Sequence, residues 1–463
     1  MNGDIVKKLD TRHPDSAEML AAWEKCEDVR EGQTAIHKAG EKYLPRLSGQ
    51  ADKDYNAYKR RAVFYGAMSR TVDAFSGMIM RVAPTVDKPS PLLDDVTNSD
   101  ISLVEFSAEV LEELLVCGFG GVLVEHSPLS DAVTLAQAQA LGSRPYLAMF
   151  DCDSILNWKM IGKHITQLVL EEDEYIATSE FEGDEQCFYR VLDLDAAGNY
   201  RQRKFVRMER DSNKFVQVGD DIYPLMNGAN LKEIPFYFFG CAEELPILID
   251  LVDLNISHYM TTADLENGAH YTGIPQPWLA GVQLPDGVSL SVGGVSAWVF
   301  PDPQANAQYL EFSGQGLGAL EKRIELKEKQ MAALGAKMLS DSVTAETATG
   351  AGLRSTGEFS VLAMLSDQVS KVLSRACSFM HLWSGLQPVE IKLNTDYLPA
   401  KMTPQELQAL VAAWQAGGIS SMTLFSNLQQ GELIASGVTF EDEQAQIAEQ
   451  APVLVAPVAH APK

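Results

Sequence analysis

A chain of 463 residues with 46% hydrophobic and 22% charged side chains has material for a sizeable core, and its length suggests about three domains. Its formal net charge of -26 excludes a protein that grips nucleic acid tightly, because such proteins neutralise phosphates with Lys and Arg. No apolar run is long enough to span a membrane, residues 1–8 lack the apolar stretch of a secretory signal, and the cysteines (Cys26, Cys117, Cys152, Cys187, Cys241, Cys377) stand apart without a paired motif. That scatter suggests free buried thiols, not a disulfide framework.

Residues 16–30 read as a helix ended by Gly32, with Trp23 as a packing anchor. Residues 43–47 are extended and broken by Pro45. Residues 52–82 carry one long helical pattern. Within it, Arg60 and Arg61 beside Tyr58, Phe64 and Tyr65 could be a basic-aromatic nucleic-acid patch. The aromatics sit at core spacing, so half-buried packing with snorkelling arginines is the better account. Pro84 and Pro89 bracket a short strand. Residues 103–116 form an amphipathic helix that runs through Gly118, Gly120 and Gly121 into a strand at 122–125. A dinucleotide fingerprint needs strand, glycines, helix, in the opposite order. Close packing explains these glycines better.

Between 145 and 239 the pattern changes to short alternating runs, at 146–150, 155–160, 165–171, 187–194, 200–207, 215–218 and 234–239. They read as an antiparallel sheet. Asp151, Asp153, Glu171, Glu172, Asp173 and Glu174 form an acidic cluster. Solvated loop carboxylates explain it better than a metal or acid/base site, since no His or Cys sits at ligand spacing.

Residues 245–267 are a third long helix, with Pro246 in its first turn and Asn267-Gly268 at its end. A small β unit at 274–312 follows, with strands at 278–281, 288–292, 297–300 and 309–312. Next come two amphipathic helices in 315–383. Leu317, Leu320, Ile324, Met331, Leu334 and Met338 form an apolar seam with Lys327 in one slot, opposite Glu321, Lys322, Arg323, Glu325, Glu328 and Lys329. Leu362, Leu365, Val369, Val372, Ala376, Phe379 and Trp383 form a second stripe. Ser355 and Glu358 have capping-box spacing, placing the start of that helix near Thr356. The Gly/Thr-rich stretch 340–354 between them reads as a mobile loop. Each helix shows one narrow stripe, so each needs a neighbour, in the same chain or in a ring of identical chains. An extended piece at 389–393 and helices at 403–415, 420–429 and 441–450 complete the chain before a loose Ala/Val/Pro-rich tail. The whole is an α+β chain.

Motifs for catalysis are missing. No GxSxG, HExxH or phosphate-loop motif occurs; at Gly352–Gly357 the lysine position is Glu358. The eight histidines are dispersed, His258 and His270 flanking the end of the third helix. An enzyme is therefore the weaker class, and no cofactor or metal is expected.

The order of parts resembles the portal proteins of tailed bacteriophages, over nearly the whole stretch from Trp23 to Trp383. The stretches that carry the resemblance are Gly40-Glu41-Lys42-Tyr43-Leu44-Pro45-Arg46-Leu47, Ala57-Tyr58-Lys59-Arg60-Arg61-Ala62-Val63-Phe64-Tyr65, Ile274-Pro275-Gln276-Pro277-Trp278 and Tyr309-Leu310-Glu311-Phe312-Ser313-Gly314-Gln315-Gly316-Leu317. They look like one portal subfamily whose members often carry no functional name. The resemblance implies a portal fold: a wing at 1–243, a first stem helix at 244–270, a clip at 271–313, a second stem helix at 314–339, a tunnel loop at 340–355, a wing helix and return strand at 356–400, and a crown and tail at 401–463. It implies a ring, of twelve copies, at one capsid vertex of a virion assembled in the host cytoplasm. Its partners would be the major capsid protein, the terminase large subunit, the head-tail adaptor and double-stranded DNA passing through, with no membrane. Lys322, Lys329, Lys337, Thr344, Thr347, Thr349 and Arg354 are the candidates to line the DNA channel. Gln276, Trp278, Asp286 and Gln304 are the candidate clip contacts to terminase or adaptor. The alternatives are another oligomeric virion component, an adaptor or capsid protein, and, less favoured, a metal-dependent enzyme.

Overall fold

The computed structural model describes residues 5–126, 143–208, 211–273, 276–280, 304, 306–310, 316–335, 348–395, 404–430, 433–434 and 438–450. Strand β1 (Ile5–Lys7) leads to helices α1 (Pro14–Glu31) and α2 (Gln33–Ala39). His13 Nδ1 accepts from the Asp15 N–H at the start of α1, and Pro14 takes a first-turn position where a missing N–H is not needed. Gly32, at φ +86°, turns the chain between the two helices. Trp23 is fully buried and stacks on Phe119, with ring centroids 5.7 Å apart.

Helices α3 (Asp52–Arg61) and α4 (Ala67–Ile79) replace the single helix expected over 52–82. The break is made by a residue far along the chain. Asn255 is fully buried; its Oδ1 accepts from the Ala67 and Met68 N–H groups, 3.2 Å each, and its Nδ2 donates to Tyr65 O at 2.7 Å. A distant side chain thus satisfies the free donors of a helix start, which local periodicity cannot reveal. Tyr58 and Phe64 are buried, as core packing predicts.

After β2 (Thr85–Val86) comes α5 (Leu103–Val116), opened by a reciprocal capping box between Ser102 and Glu105. It feeds β3 (Phe119–His126), then β4 (Pro145–Phe150), β5 (Ile155–Ile161), β6 (His164–Ala177), β7 (Gly183–Leu194), β8 (Tyr200–Met208), β9 (Asp211–Ile222), β10 (Leu225–Met226), β11 (Ala229–Asn230) and β12 (Phe236–Gly240). Not one sheet but two carry most of these strands. One has the order β1-β9-β8-β7-β6-β5 and the other β12-β3-β4, antiparallel throughout. The glycines in β3 are there for packing, a Cβ on Gly120 lying 2.3 Å from the Phe239 ring and one on Gly121 2.1 Å from Phe236, whereas Gly118 before it turns the chain at φ +75°.

Helix α6 (Ile249–Thr272) precedes β13 (Gln276–Ala280), which pairs with β14 (Asn306–Leu310). The inner two strands expected at 288–292 and 297–300 lie outside the described residues. Then follow α7 (Leu317–Ala333), α8 (Ala348–Trp383), β15 (Ile391–Lys392) paired with β2, and α9 (Pro404–Gln415), α10 (Ser421–Gln430) and α11 (Phe440–Gln450). Asn267-Gly268 does not end α6. The helix passes through, and Gly268 lets Leu317 come close: an added Cβ there would sit 2.7 Å from Leu317 Cδ2. Ser355 is likewise inside α8, not at its start. Once a helix exists, adding residues is far easier than nucleating, so Ala348, Ala351, Leu353 and Arg354 prolong it despite two glycines. The second apolar stripe is as expected: Leu362, Leu365, Val369, Val372, Ala376, Phe379 and Trp383 are all buried.

One core joins α1, α3–α6, β3, β4, β12 and the second half of α8. A smaller one, Leu156, Val169, Tyr189, Val191, Phe205 and Phe215, lies against one face of the six-stranded sheet. All six cysteines are free, as expected. No described helix is long and apolar enough to cross a membrane. Replacing Asn255 by Leu keeps the branching of the side chain but leaves the buried Met68 N–H without its acceptor, while the Ala67 N–H keeps Tyr65 O at 2.8 Å. The expected loss is about 1–3 kcal/mol, read as a lower urea midpoint with an unchanged slope.

Candidate functional site

The functional surface is best approached through α6. Its first half is held in the core by Leu251, Val252, Ile256, Tyr259 and Ala263. Beyond Ala263 none of its side chains is buried. The rest of the helix therefore leaves the core, and α7 returns antiparallel along it, with Leu317 at Gly268 and Lys327 at Ser257. The β13–β14 pair sits between the far ends of the two helices.

In α7 only Met331 is buried; Leu317, Leu320 and Ile324 are half-buried. Lys327 fills the gap in this seam. Its Nζ donates to Ser257 O at 2.7 Å, Ser257 Oγ at 2.8 Å and Thr261 Oγ1 at 2.6 Å. Burial, and then the nearby Arg323, lower the Lys327 pKa, while Asp264 opposes the shift. Next to it His258 is buried, with Glu328 Oε1 3.6 Å from Nε2 and the Tyr65 ring beside it. Burial lowers the His258 pKa, Glu328 raises it in part, and Lys327 adds to the lowering. Leu334 departs from the seam and is 43% exposed. It joins Phe75, Ile247, Val361 and Leu365 around an apolar groove of about 260 Å³, where Gly335 turns the chain at φ +123°.

The opposite face of α7 is charged and exposed: Glu321, Lys322, Arg323, Glu325, Glu328 and Lys329, with Leu326 among them at 56%. Lys322 and Lys329 lie two turns apart on this face. Thr349 and Arg354, expected in a loop, lie in the first turns of α8. Gln276 and Trp278 are in β13, opposite Leu310 and Gln308, and Gln304 is exposed just before β14. Lys337, Thr344, Thr347 and Asp286 lie outside the described residues, as does 340–347 of the expected loop.

Of the acidic cluster only Asp151 and Asp153 lie in a loop, as expected; Glu171, Glu172, Asp173 and Glu174 are on β6, and all six line an open depression of about 810 Å³. Arg190 pairs with both Glu125 and Glu172, and Glu171 Oε1 accepts from Cys187 Sγ at 3.0 Å and Tyr189 OH at 3.1 Å. Behind Asp151 and Asp153, folding assembles a group that sequence spacing could not show. The thiols of Cys117 and Cys152 both donate to Glu27 Oε1, 3.6 Å each. Burial first, then Asp153 and Asp151, push the Glu27 carboxyl up to about 7. Glu113, which accepts from the Cys152 N–H at 3.0 Å, is raised to about 7, chiefly by burial.

Residues 247–384 match the family model DUF4055, a domain of unknown function. The match runs from the start of α6 to the end of α8 and so takes in the two helices, the inserted β pair and the third long helix. No curated protein matches the chain. Solved structures that resemble it include three chains from gene transfer agent particles. A chain from the neck of an empty gene transfer agent (GTA) particle, computed with C6 symmetry, is 12% identical, with a TM-score of 0.39, over 87% of this chain and 95% of that one. A chain from the neck of the native GTA particle, computed with C12 symmetry, is 13% identical, with a TM-score of 0.34, over 85% and 97%. A chain from the native GTA virion is 14% identical, with a TM-score of 0.32, over 84% and 96%.

Two outcomes follow for the helix pair. Lys327→Met removes the three hydrogen bonds from Nζ to Ser257 O, Ser257 Oγ and Thr261 Oγ1 and should loosen α7 from α6 by about 1–3 kcal/mol, seen as faster amide exchange in α7 than in α1. Burial holds the folded His258 pKa below the ordinary 6.5 at which the unfolded chain takes up its proton. Its contribution is therefore present above that pH and fades as pH falls. Thermal scans from pH 7.5 to 5.5 should show a smaller decline for His258→Gln than for the parent chain.

Proposed function

We propose that this chain is the portal subunit of a tailed-phage-like particle, closing into a ring at one capsid vertex through which DNA is packaged and later leaves. The observation that carries the reading is the helix pair α6–α7, which leaves the core, bears a strand pair at its far end and is followed by the 36-residue α8. A helix with one buried side chain and an exposed Leu326 is incomplete in a single copy. Identical neighbours around a closed rotation would cover it.

In this reading α6 and α7 are the stem, the β13–β14 unit is the clip, the segment from 340 to 355 is the tunnel constriction, and α9–α11 belong to the crown. The clip residues Gln276, Trp278, Asp286 and Gln304 would meet the terminase motor and then the head-tail adaptor. Lys322, Lys329, Lys337 and Arg354, with Thr344, Thr347 and Thr349, would face the duplex. A chain with a net charge of -26 scarcely attracts a polyanion, and a few ring-repeated cations would guide it without holding it. The major capsid protein would surround the sheet-bearing part.

Electron micrographs of the purified chain test the reading: a hollow twelve-fold ring is expected, and a stable monomer or a particle without a bore overturns it. Leu326→Asp should shift the ring toward monomers in sedimentation. Reversing Lys322, Lys329, Lys337 and Arg354 to Glu together should keep the ring and lower the DNA packaged per particle. Unchanged packaging would remove those residues from the channel.

A further inference from the structure

The group formed by Glu27, Cys117 and Cys152 lies outside everything the ring reading uses. Three elements build it: Glu27 comes from α1, Cys117 caps the C-terminal end of α5, and Cys152 follows β4. Both sulfurs belong to fully buried residues, and the three ligand atoms lie within 4.8 Å of one another. We infer that this is a binding site for one thiophilic divalent cation of the zinc class, held by two thiolates and one carboxylate oxygen.

The geometry favours this over a chance meeting of thiols. In a tetrahedral zinc site, bonds of ~2.3 Å to sulfur and ~2.1 Å to a carboxylate oxygen set those two ligand atoms ~3.6 Å apart. Both sulfur–oxygen edges here are 3.6 Å. The same oxygen, Glu27 Oε1, is the common vertex, as a single metal would require. Cys152 is fixed from behind, its N–H donating to Glu113 Oε1, so the ligand loop has its own support. Three protein ligands leave the fourth position open to water. Asp151 and Asp153 border Glu27 and also line the acidic depression, which gives a cation an approach from solvent. Thiolate ligands select zinc over magnesium or calcium, which prefer all-oxygen sets. Loading displaces the two thiol protons, and any proton on Glu27, to solvent. The site ties α1, α5 and the β4 exit together, and it stands or falls independently of ring formation.

The test uses the full chain, reduced and stripped with chelator, then titrated with Co²⁺ alone. One Co²⁺ per chain is expected, with the near-ultraviolet sulfur-to-metal absorption of two thiolates. Zn²⁺ should displace it and raise the melting temperature as its concentration rises. The absorption should vanish in Cys117→Ser/Cys152→Ser and persist in Cys377→Ser, a buried thiol elsewhere. Glu27→Gln keeps both thiols and the space, and should weaken binding by at least the roughly 10–100-fold that losing a supporting contact costs. No bound metal in the reduced parent chain overturns the inference. So does binding that survives the double substitution, or thiol counting that finds Cys117 and Cys152 joined as a disulfide that yields no metal site on reduction.

Discussion

The buried half of α6 is where the rest of the molecule is tied. On one side Asn255 supplies the start of α4 with its missing acceptor; on the other, Ser257 and Thr261 receive the ammonium of Lys327 from α7. Both ties are polar, and both are made by groups shielded from water, where a hydrogen bond is strong and its loss is costly. They fix the axial register of α6 against two neighbours within about two turns. Beyond Ala263 the helix is tied to α3 instead, Tyr58 OH donating to Asp264 Oδ1 at 2.7 Å and Arg61 to Asn267 Oδ1 at 3.1 Å.

Much of this arrangement could be read from the chain. The stripe from Leu362 to Trp383 and the capped helix at 103–116 follow from local rules, because each depends on residues a few positions apart. What escaped the sequence depends on residues far apart. The break between α3 and α4 is made by Asn255, some 190 positions away, and the division of the strands into two sheets rests on Phe236 and Phe239 meeting Gly121 and Gly120. Glu27, Cys117 and Cys152 look unrelated until three elements converge, so a search for ligand spacing passes over them. Of the candidate channel and clip residues, spacing could place Lys322 and Lys329 on one helix face, but which way that face looks depends on neighbours that the sequence does not reveal.

The molecule also handles its excess of acid locally. Glu125 and Glu172 share Arg190; Asp193 receives both Arg201 and Arg203. Such shared pairs hold the strands of the large sheet together at a cost in desolvation, and they are specific about register more than they are stabilising. Glu27 and Glu113, buried and outside these pairs, are each pushed up to about 7, chiefly by burial.

The pairing of β2 with β15 joins Thr85–Val86 to Ile391–Lys392, and the α8 stripe fills the same core as β3. A ribosome making this chain finishes Leu123 some 246 residues before Val369. At common synthesis rates that is a wait of roughly 10–50 s. Throughout it the apolar side that α8 will cover is open, so the nascent chain must be shielded or slow to self-associate until its last third emerges. The final long helix thus acts as a release date for the surface beneath it.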